Sequence, residues 1–402
     1  MATEVDLVIV GAGIIGLASA WQFSAAHPDA RIVVLEKEPE LALHQTGHNS
    51  GVLHAGVYYR PGSMKARMAV AGRAEMVDFC RQRGIAHEVC GKVIIATGPA
   101  ELGRLRDLHQ RADRNGVEAK LVDRERLVEL EPHCAGIEGI HVPSTGIADF
   151  GAVARTFAAD LADRGVPVVL DTPVTGIEDG PGGVAVSTPS QEYRARLLVN
   201  CAGLRSDQVA AQVGGLQVDT RIVPFRGEYY ELRPEQSHLV RNLIYPVPDP
   251  SFPFLGVHLT RMIGGHIHVG PNAVLALARE GYRWRDVSWQ QLREHATNRG
   301  LWALGRRYWR TGAGEVWRSL SKHAFVKAVQ RLVPEVQVGD LVSSPAGVRA
   351  QAMSGSGELL DDFAIEHTPH SVHILNAPSP AATASLQIGA TVAATAAERL
   401  AA

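Results

Sequence analysis

The sequence predicts an α/β protein, α+β overall, built as two lobes: one around a parallel βαβ unit, the other around a mostly antiparallel sheet. Three observations predict it. Within the first 36 residues an apolar strand runs into a glycine-punctuated turn, a helix and a second apolar strand. Strand-like runs separated by Pro and Gly turns fill much of 216–340. The chain has 402 residues, more than one core holds, since cores rarely outgrow about 250–300 residues.

Composition is that of a folded globular chain, 46% hydrophobic and 20% charged. A formal net charge of −2 gives no attraction for nucleic acid, which is not expected as a partner. Cys80, Cys90, Cys134 and Cys201 lack CxxC spacing, so neither a disulfide framework nor a metal cage is expected. No basic leader precedes Val5–Val10, and no run reaches the ~18–20 apolar residues of a membrane span. The expected compartment is the cytoplasm.

Val5–Val10 reads as a central strand buried on both faces. Gly11-Ala12-Gly13-Ile14-Ile15-Gly16 follows and opens a helix through Leu17, Ala20, Trp21 and Phe23, which His27-Pro28-Asp29 ends. Strand Ile32–Leu35 then finishes at Glu36, with Lys37 beside it. This is the whole Rossmann-type unit, not a lone GxGxxG. Gly11 makes the tight turn, Gly13 admits a pyrophosphate to the backbone, and Gly16 lets helix and sheet close up. The helix start at Ile14 and Ile15 offers N–H groups and positive charge to phosphate, while Glu36 suits a ribose diol.

A simple NAD domain would continue with another βα unit. Here a polar loop follows instead, with Thr46, Gly47, His48, Asn49, Ser50 and Gly51 ahead of His54. It resembles the FAD enzymes of the D-amino-acid-oxidase-like superfamily, in which this stretch lines pyrophosphate and flavin. FAD is therefore the expected cofactor.

Lys65–Arg83 has the apolar spacing of an amphipathic helix, with Met68, Ala69, Met76 and Phe79 as markers. Val89–Ala96 reads as a strand, Glu101–Asn115 as a charged helix ended by Asn115-Gly116, and Asp123–Leu130 as a helix stopped by Pro132. Phe150–Arg164 is a helix and Val166–Leu170 a strand; a hairpin around Gly180–Gly183 leads to Leu197–Val199 and a helix at Asp207–Val213. In the resembled superfamily the Val174 backbone meets the adenine edge, and Ala202-Gly203 at a strand end lies near the adenine half. Ile222–Leu232, Leu243–Val247, Leu255–Thr260 and His266–Val269 supply the second sheet, and Thr383–Leu400 is an alanine-rich helix. The expected FAD-binding lobe takes 1–85, 145–215 and 341–402. The substrate lobe takes 86–144 and 216–340, with a basic, aromatic helical insert near 284–331.

The phrases His48-Asn49-Ser50-Gly51, His54-Ala55-Gly56-Val57-Tyr58-Tyr59, Phe225-Arg226-Gly227-Glu228-Tyr229-Tyr230, Tyr245-Pro246-Val247-Pro248 and His258-Leu259-Thr260-Arg261 occur in succession. Gly347-Val348-Arg349-Ala350-Gln351 and Asn376-Ala377-Pro378-Ser379-Pro380-Ala381 complete the set. Together they resemble the L-2-hydroxyglutarate oxidase/dehydrogenase family, nearly end to end. The resemblance implies FAD, oxidation of L-2-hydroxyglutarate to 2-oxoglutarate, and an enzyme often attached to a membrane.

Oxidising a secondary alcohol with a flavin requires hydride transfer from C2 to flavin N5 and removal of the hydroxyl proton. Histidine suits the second task. His54 and His258 are the candidate bases, with His48 third as a shaper of the pyrophosphate loop. Arg349 follows Gly347-Val348, where the superfamily places an arginine on the α-carboxylate, and a guanidinium fork matches that group. Arg226 reads either as the clamp of the distal carboxylate or as an ion pair with Glu228. Tyr230, Tyr245 and Gln351 read as polar liners or as ordinary sheet residues. Thr383, Ala384 and Ser385 open the last helix, whose N-terminus can face the flavin's O2 or N1.

Residues 299–331 hold eight Arg/Lys and one acid, and five of the six tryptophans fall between Trp284 and Trp317. This reads either as docking to an anionic membrane surface, on the inner face of the cell membrane, or as packing within the protein. Oxygen and a membrane quinone are the two candidate electron acceptors. Two further readings stay open: an FAD-dependent amino-acid oxidase, and a non-catalytic flavin-binding protein at a membrane.

Overall fold

The structure is a computed structural model and describes residues 2–213, 219–249 and 255–401. The expected lobe boundary at 215/216 lies outside the described residues. The chain opens with β1 (Thr3–Val10), α1 (Ile14–Ala26) and β2 (Ile32–Leu35), followed by β3 (Val52–Leu53) and α2 (Met64–Arg83). Then come β4 (His87–Glu88), β5 (Lys92–Ala96), α3 (Leu102–Arg114), β6 (Lys120–Asp123), α4 (Arg124–Leu130) and β7 (Glu138–Val142). β8 (Gly146–Ala148), α5 (Phe150–Asp163), β9 (Val168–Val169), β10 (Gly176–Gly180), β11 (Gly183–Ser187), β12 (Glu192–Asn200) and α6 (Ser206–Ala210) follow. The middle section is β13 (Arg221–Leu232), β14 (Leu243–Pro246), β15 (His258–Arg261), β16 (Ile267–Gly270) and β17 (Val274–Leu275). Helices α7 (Trp289–Thr297), α8 (Arg299–Leu320) and α9 (Lys322–Val329) precede β18 (Leu341–Met353), β19 (Ala364–His367), β20 (Ser371–Asn376) and α10 (Ser385–Ala401).

The first sheet runs β10-β11-β12-β1-β2-β9, with β20 beside β12 and β19 beside β20. Its centre is parallel: β1 pairs with β12 and β2, and β12 with β20. Val8 and Ile9 are fully buried because helices or the β10–β11 hairpin cover both faces. Gly11 sits at φ +101°, and a Cβ there would lie 2.6 Å from the Cys201 carbonyl oxygen. α10 presses on α1 so closely that a Cβ at Gly389 would meet Ala18 backbone at 2.7 Å.

The second sheet runs β17-β13-β16-β15-β14-β5-β7-β6, with β18 on β13. Its described pairings are antiparallel apart from β14 with β5. β13 and β18 pair from Arg221↔Met353 to Leu232↔Leu341, with one bulge between Gly227 and Tyr229. The α/β class with an antiparallel second sheet thus stands.

Several expected elements differ. Val89–Ala96 shortens to β5 after Gly91, φ +81°; β4, just before it, joins a small sheet with β3 and β8. The segment 341–402 was expected in the first lobe, but β18 lies along β13 and the chain rejoins the first sheet only at β19. Long-range pairing decides that placement, and local sequence does not carry it. Val166–Leu170 shortens to Val168–Val169, and Asp207–Val213 to Ser206–Ala210. In the insert, α9 buries Phe325, Val326 and Val329 in the second core, whereas α8 leaves Trp302, Trp309 and Trp317 about 60% exposed or more. No helix among the described residues is long and apolar enough to cross a membrane.

Candidate active site

A cavity of about 840 Å³ runs from the N-terminus of α1 to the face of the second sheet. That volume is ample for a cofactor and a small substrate together. At one end lie Gly13, Ile14, Ile15, Gln45, Thr46, His48, Asn49 and Ser50. Gly13 caps α1 without a side chain, and a Cβ there would meet only Thr46 Oγ1, at 3.7 Å, so the space above the helix end is open. Thr46 Oγ1 accepts from Ile14 N at 3.0 Å, which ties the loop onto the helix. Asn49 holds the same loop by donating to Gln45 and Thr46 carbonyls and accepting from Gly51 N at 2.8 Å. Gly47 and Gly16 are packing glycines: a Cβ would fall 2.1 Å from Ala42 O and 2.0 Å from Gly11 O, respectively. His48 donates from Nδ1 to Ala346 O at 2.9 Å, and burial lowers its pKa.

Glu36 lies at the end of β2, where its carboxylate accepts from Ala12 N at 2.8 Å and Glu38 N at 3.0 Å. Lys37 is engaged by Glu38, Glu280 and His44. Val174 follows β9, the strand that pairs with β2, and packs against the core beneath the sheet. Ala202 N donates to Asn200 Oδ1 at 3.1 Å; Gly203, φ +54°, lines the cavity. At the far side Thr383 Oγ1 accepts from His54 N and donates to Val52 O, both at 3.1 Å. Ala384 and Ser385 are buried behind it, and Ser385 Oγ has no hydrogen-bond partner. The open cradle at Gly13 and the helix end near Thr383 fit a long dinucleotide.

The other end holds His54, Tyr58, Tyr59, Tyr229, Tyr245, His258, Arg349 and Gln351. His258 Nδ1 donates to Gly256 O at 3.0 Å, which leaves Nε2 as the acceptor. Burial pushes the pKa of His258, and that of His54, down to about 3. Both imidazoles are neutral at neutral pH. His54 Nε2 lies 3.4 Å from Ser379 Oγ, while its Nδ1 is buried without a partner. Arg349 pairs across the sheet with Phe225, hence shares a face with Gly227 and Tyr229. Gln351 Nε2 donates to Ala352 and Leu360 carbonyls, so it shapes the wall.

Arg226 and Tyr230 are not among the lining residues. Strand alternation sends them to the opposite face of β13 from Gly227 and Tyr229. There Arg226, 1% exposed, pairs with Glu228 at 3.1 Å and covers the Trp284 ring at 4.4 Å. Tyr230 packs on Phe325, centroids 4.7 Å apart. The ion-pair reading of Arg226 is the one its contacts support. Gln45, whose Oε1 accepts from Ala350 N at 3.1 Å, and Tyr229 were missed in the sequence. The period-two alternation along Phe225–Tyr230 was the signal available for Tyr229.

The profile of the FAD dependent oxidoreductase family matches residues 6–395. The L-2-hydroxyglutarate dehydrogenase of Indibacter alkaliphilus is 45% identical, over 97% of this chain and 98% of its own. The enzyme of the same name from Escherichia coli K12 is 46% identical over 96% and 91%. Among solved structures, the L-alpha-glycerophosphate oxidase of Mycoplasma pneumoniae, with FAD bound, superposes with a TM-score of 0.79 at 21% identity, over 99% of this chain and 94% of that one. The fold is therefore shared with a flavin enzyme, and FAD is the cofactor for which the cradle is built. The chain belongs to the FAD-dependent oxidoreductase family, in the branch of the L-2-hydroxyglutarate dehydrogenases.

Proposed function

We propose that this protein oxidises L-2-hydroxyglutarate to 2-oxoglutarate. The observation that carries the reading is the pairing, in one cavity wall, of a neutral histidine presenting a free Nε2 with an arginine suited to a carboxylate. FAD, held by the Gly13–Ile15 helix end and the Thr46–Gly51 loop, would supply the two-electron acceptor for the hydrogen on C2. The hydroxyl proton passes to His258 Nε2, with His54 as the second imidazole at the site. Arg349 holds the α-carboxylate, its fork matching the two oxygens. Tyr245, Tyr229 and Gln351 shape the remaining wall. Gly13, Ile14 and Ile15, with the loop Thr46–Gly51, receive the pyrophosphate, and Gly11 and Gly16 make the tight turn and close packing behind them; Glu36, Lys37, Val174, Ala202 and Gly203 surround the adenosine half. Thr383–Ser385, at the start of α10, would hold the flavin end of the cofactor.

The electrons leave to oxygen or to a membrane quinone. The quinone route draws support from α8, whose exposed Trp302, Trp309 and Trp317 are interleaved with arginines, while its Leu304, Arg307 and Tyr308 line the cavity. Docking of this helix on an anionic surface would bring the cavity mouth to the lipid. Salt-sensitive binding to anionic vesicles supports that role, and absence of binding at low salt overturns it.

The reaction is tested by mixing the purified yellow protein anaerobically with L-2-hydroxyglutarate, its D-enantiomer, L-lactate or glycine and following the flavin band. Bleaching by L-2-hydroxyglutarate alone is expected. Bleaching by glycine would move the chain to the amino-acid oxidases, and bleaching by none of them would support the non-catalytic reading.

A further inference from the structure

Lys92 opens β5 in the middle of the second sheet and is 2% exposed. Its Nζ lies 4.5 Å from the ring centroid of Tyr58 and 4.8 Å from that of Tyr245. Those two rings are themselves stacked, 6.5 Å apart and 25° from parallel, and Tyr245 stacks in turn on His258 at 4.0 Å. Tyr58, Tyr245 and His258 line the cavity, so the amine sits directly behind its wall. Tyr58 Oη is buried without a hydrogen-bond partner.

A buried ammonium in a central strand is costly unless something compensates its charge. The ring faces do so in part. Among the described residues no carboxylate pairs with Lys92, and burial draws the amine down to about 7. A core lysine with no protein counter-ion is stabilised when an anion enters the cavity. Among the described residues it is thus a charge left for a ligand.

We propose that Lys92 is a specificity-determining positioning residue, which through Tyr58 and Tyr245 supplies the positive charge that selects a dicarboxylate over a monocarboxylate 2-hydroxy acid. The far carboxylate is received at the Tyr58 hydroxyl, on whose ring the ammonium rests. The inference deepens the proposed function and rests on it. Arg349 holds the carboxylate that both classes of substrate share, and Lys92 answers the one that only the dicarboxylate has.

The amine changes charge near neutrality, so dicarboxylate binding strengthens as pH falls through about 7. The groups facing it do not titrate there: His54 and His258 stay neutral, and Tyr58, Tyr59 and Tyr245 are pushed up and stay protonated. Arg349 and Lys65 are the other cations around the two histidines.

The test measures the dissociation constants of 2-oxoglutarate and 2-oxobutyrate from flavin absorbance, between pH 6 and 8.5, in the FAD-loaded wild type, K92M and K92R. Methionine fills the space without burying a charge, so K92M is expected to fold. At pH 6.5 K92M should weaken 2-oxoglutarate about tenfold or more, leave 2-oxobutyrate within about twofold, and lose the pH dependence. K92R should recover affinity for the dicarboxylate without recovering the pH dependence. Equal weakening of both ligands, or no change in either, overturns the proposal. A wild type bleached normally by L-2-hydroxyglutarate but unaffected by K92M overturns this inference alone. A wild type that L-2-hydroxyglutarate does not bleach overturns the substrate assignment and this inference with it.

Discussion

The carbonyl of Gly256 accepts a hydrogen bond from Nδ1 of His258 at 3.0 Å, and this contact decides which ring nitrogen faces the cavity with a lone pair. Replacing His258 by Asn should slow flavin bleaching by roughly 10²–10⁴-fold, the range of a lost general base. Flavin content should be unchanged. The same change at His54 should cost less, since its Nε2 is already within 3.4 Å of Ser379 Oγ. A larger loss at His54 in stopped-flow traces would exchange the two roles.

Arg349 and Arg226 should separate cleanly. On the proposed reading Arg349→Met removes the charged partner of the ligand, so the 2-oxoglutarate dissociation constant should rise by about 10–100-fold. Arg226→Met breaks a buried pair with Glu228 on the other face of β13. It should lower the thermal midpoint and leave ligand affinity nearly intact. Titration and a melting curve on each variant check both statements.

Acid should destabilise the fold in a defined window. His54 and His258 titrate near 3 when folded and near 6.5 when unfolded, so below about 6.5 the unfolded chain takes up protons that the folded one refuses. Stability then falls as pH drops from about 6.5 toward 3, by up to ~1.4 kcal/mol per pH unit for each histidine, and these groups add no slope above that range. Lys92 has the same sign higher up: its depressed pKa makes stability rise between about 7 and 10.5. Urea unfolding at pH 5, 6, 7 and 9 measures both, and H258N and K92M should each flatten their own window.

Asp207 and Arg279 form a buried two-pronged pair, at 2.6 and 3.1 Å, that joins α6 to the segment leading to α7. Asp207 Oδ2 also accepts from Ile222 N at 3.0 Å, at the start of β13. Asp207→Asn should cost about 3–5 kcal/mol by leaving the guanidinium under-compensated. Pairing it with Arg279→Met should recover part of the loss in denaturant titrations.

The dinucleotide end was legible in the sequence because its parts are close neighbours along the chain. Gly11 to Gly16, Glu36 and the Thr46–Gly51 loop each need only local geometry, and local spacing reports it. The opposite end depends on register. Arg226 and Tyr230 stayed between a substrate-facing and a structural reading because the face they occupy follows from which of their neighbours pairs with Arg349, more than 100 residues away. Lys92 was invisible for the same reason, since nothing near it in sequence says that Tyr58 and Tyr245 converge on its amine. The insert divided its two readings, α9 going to the core and α8 to the surface.

The route of the chain between the sheets has a consequence for biosynthesis. It enters the first sheet with β1 and β2, leaves for β5 to β7, returns for β9 to β12, leaves again for β13 to β18 and comes back with β19 and β20. Both the centre of the first sheet, at β12, and the apolar back of α1 wait for partners drawn from Ser371–Ala401. During translation the first lobe therefore cannot be finished until Ser371–Ala401 has been made. A nonsense or frameshift allele upstream of that tail should yield an aggregating or degraded chain, not half an enzyme.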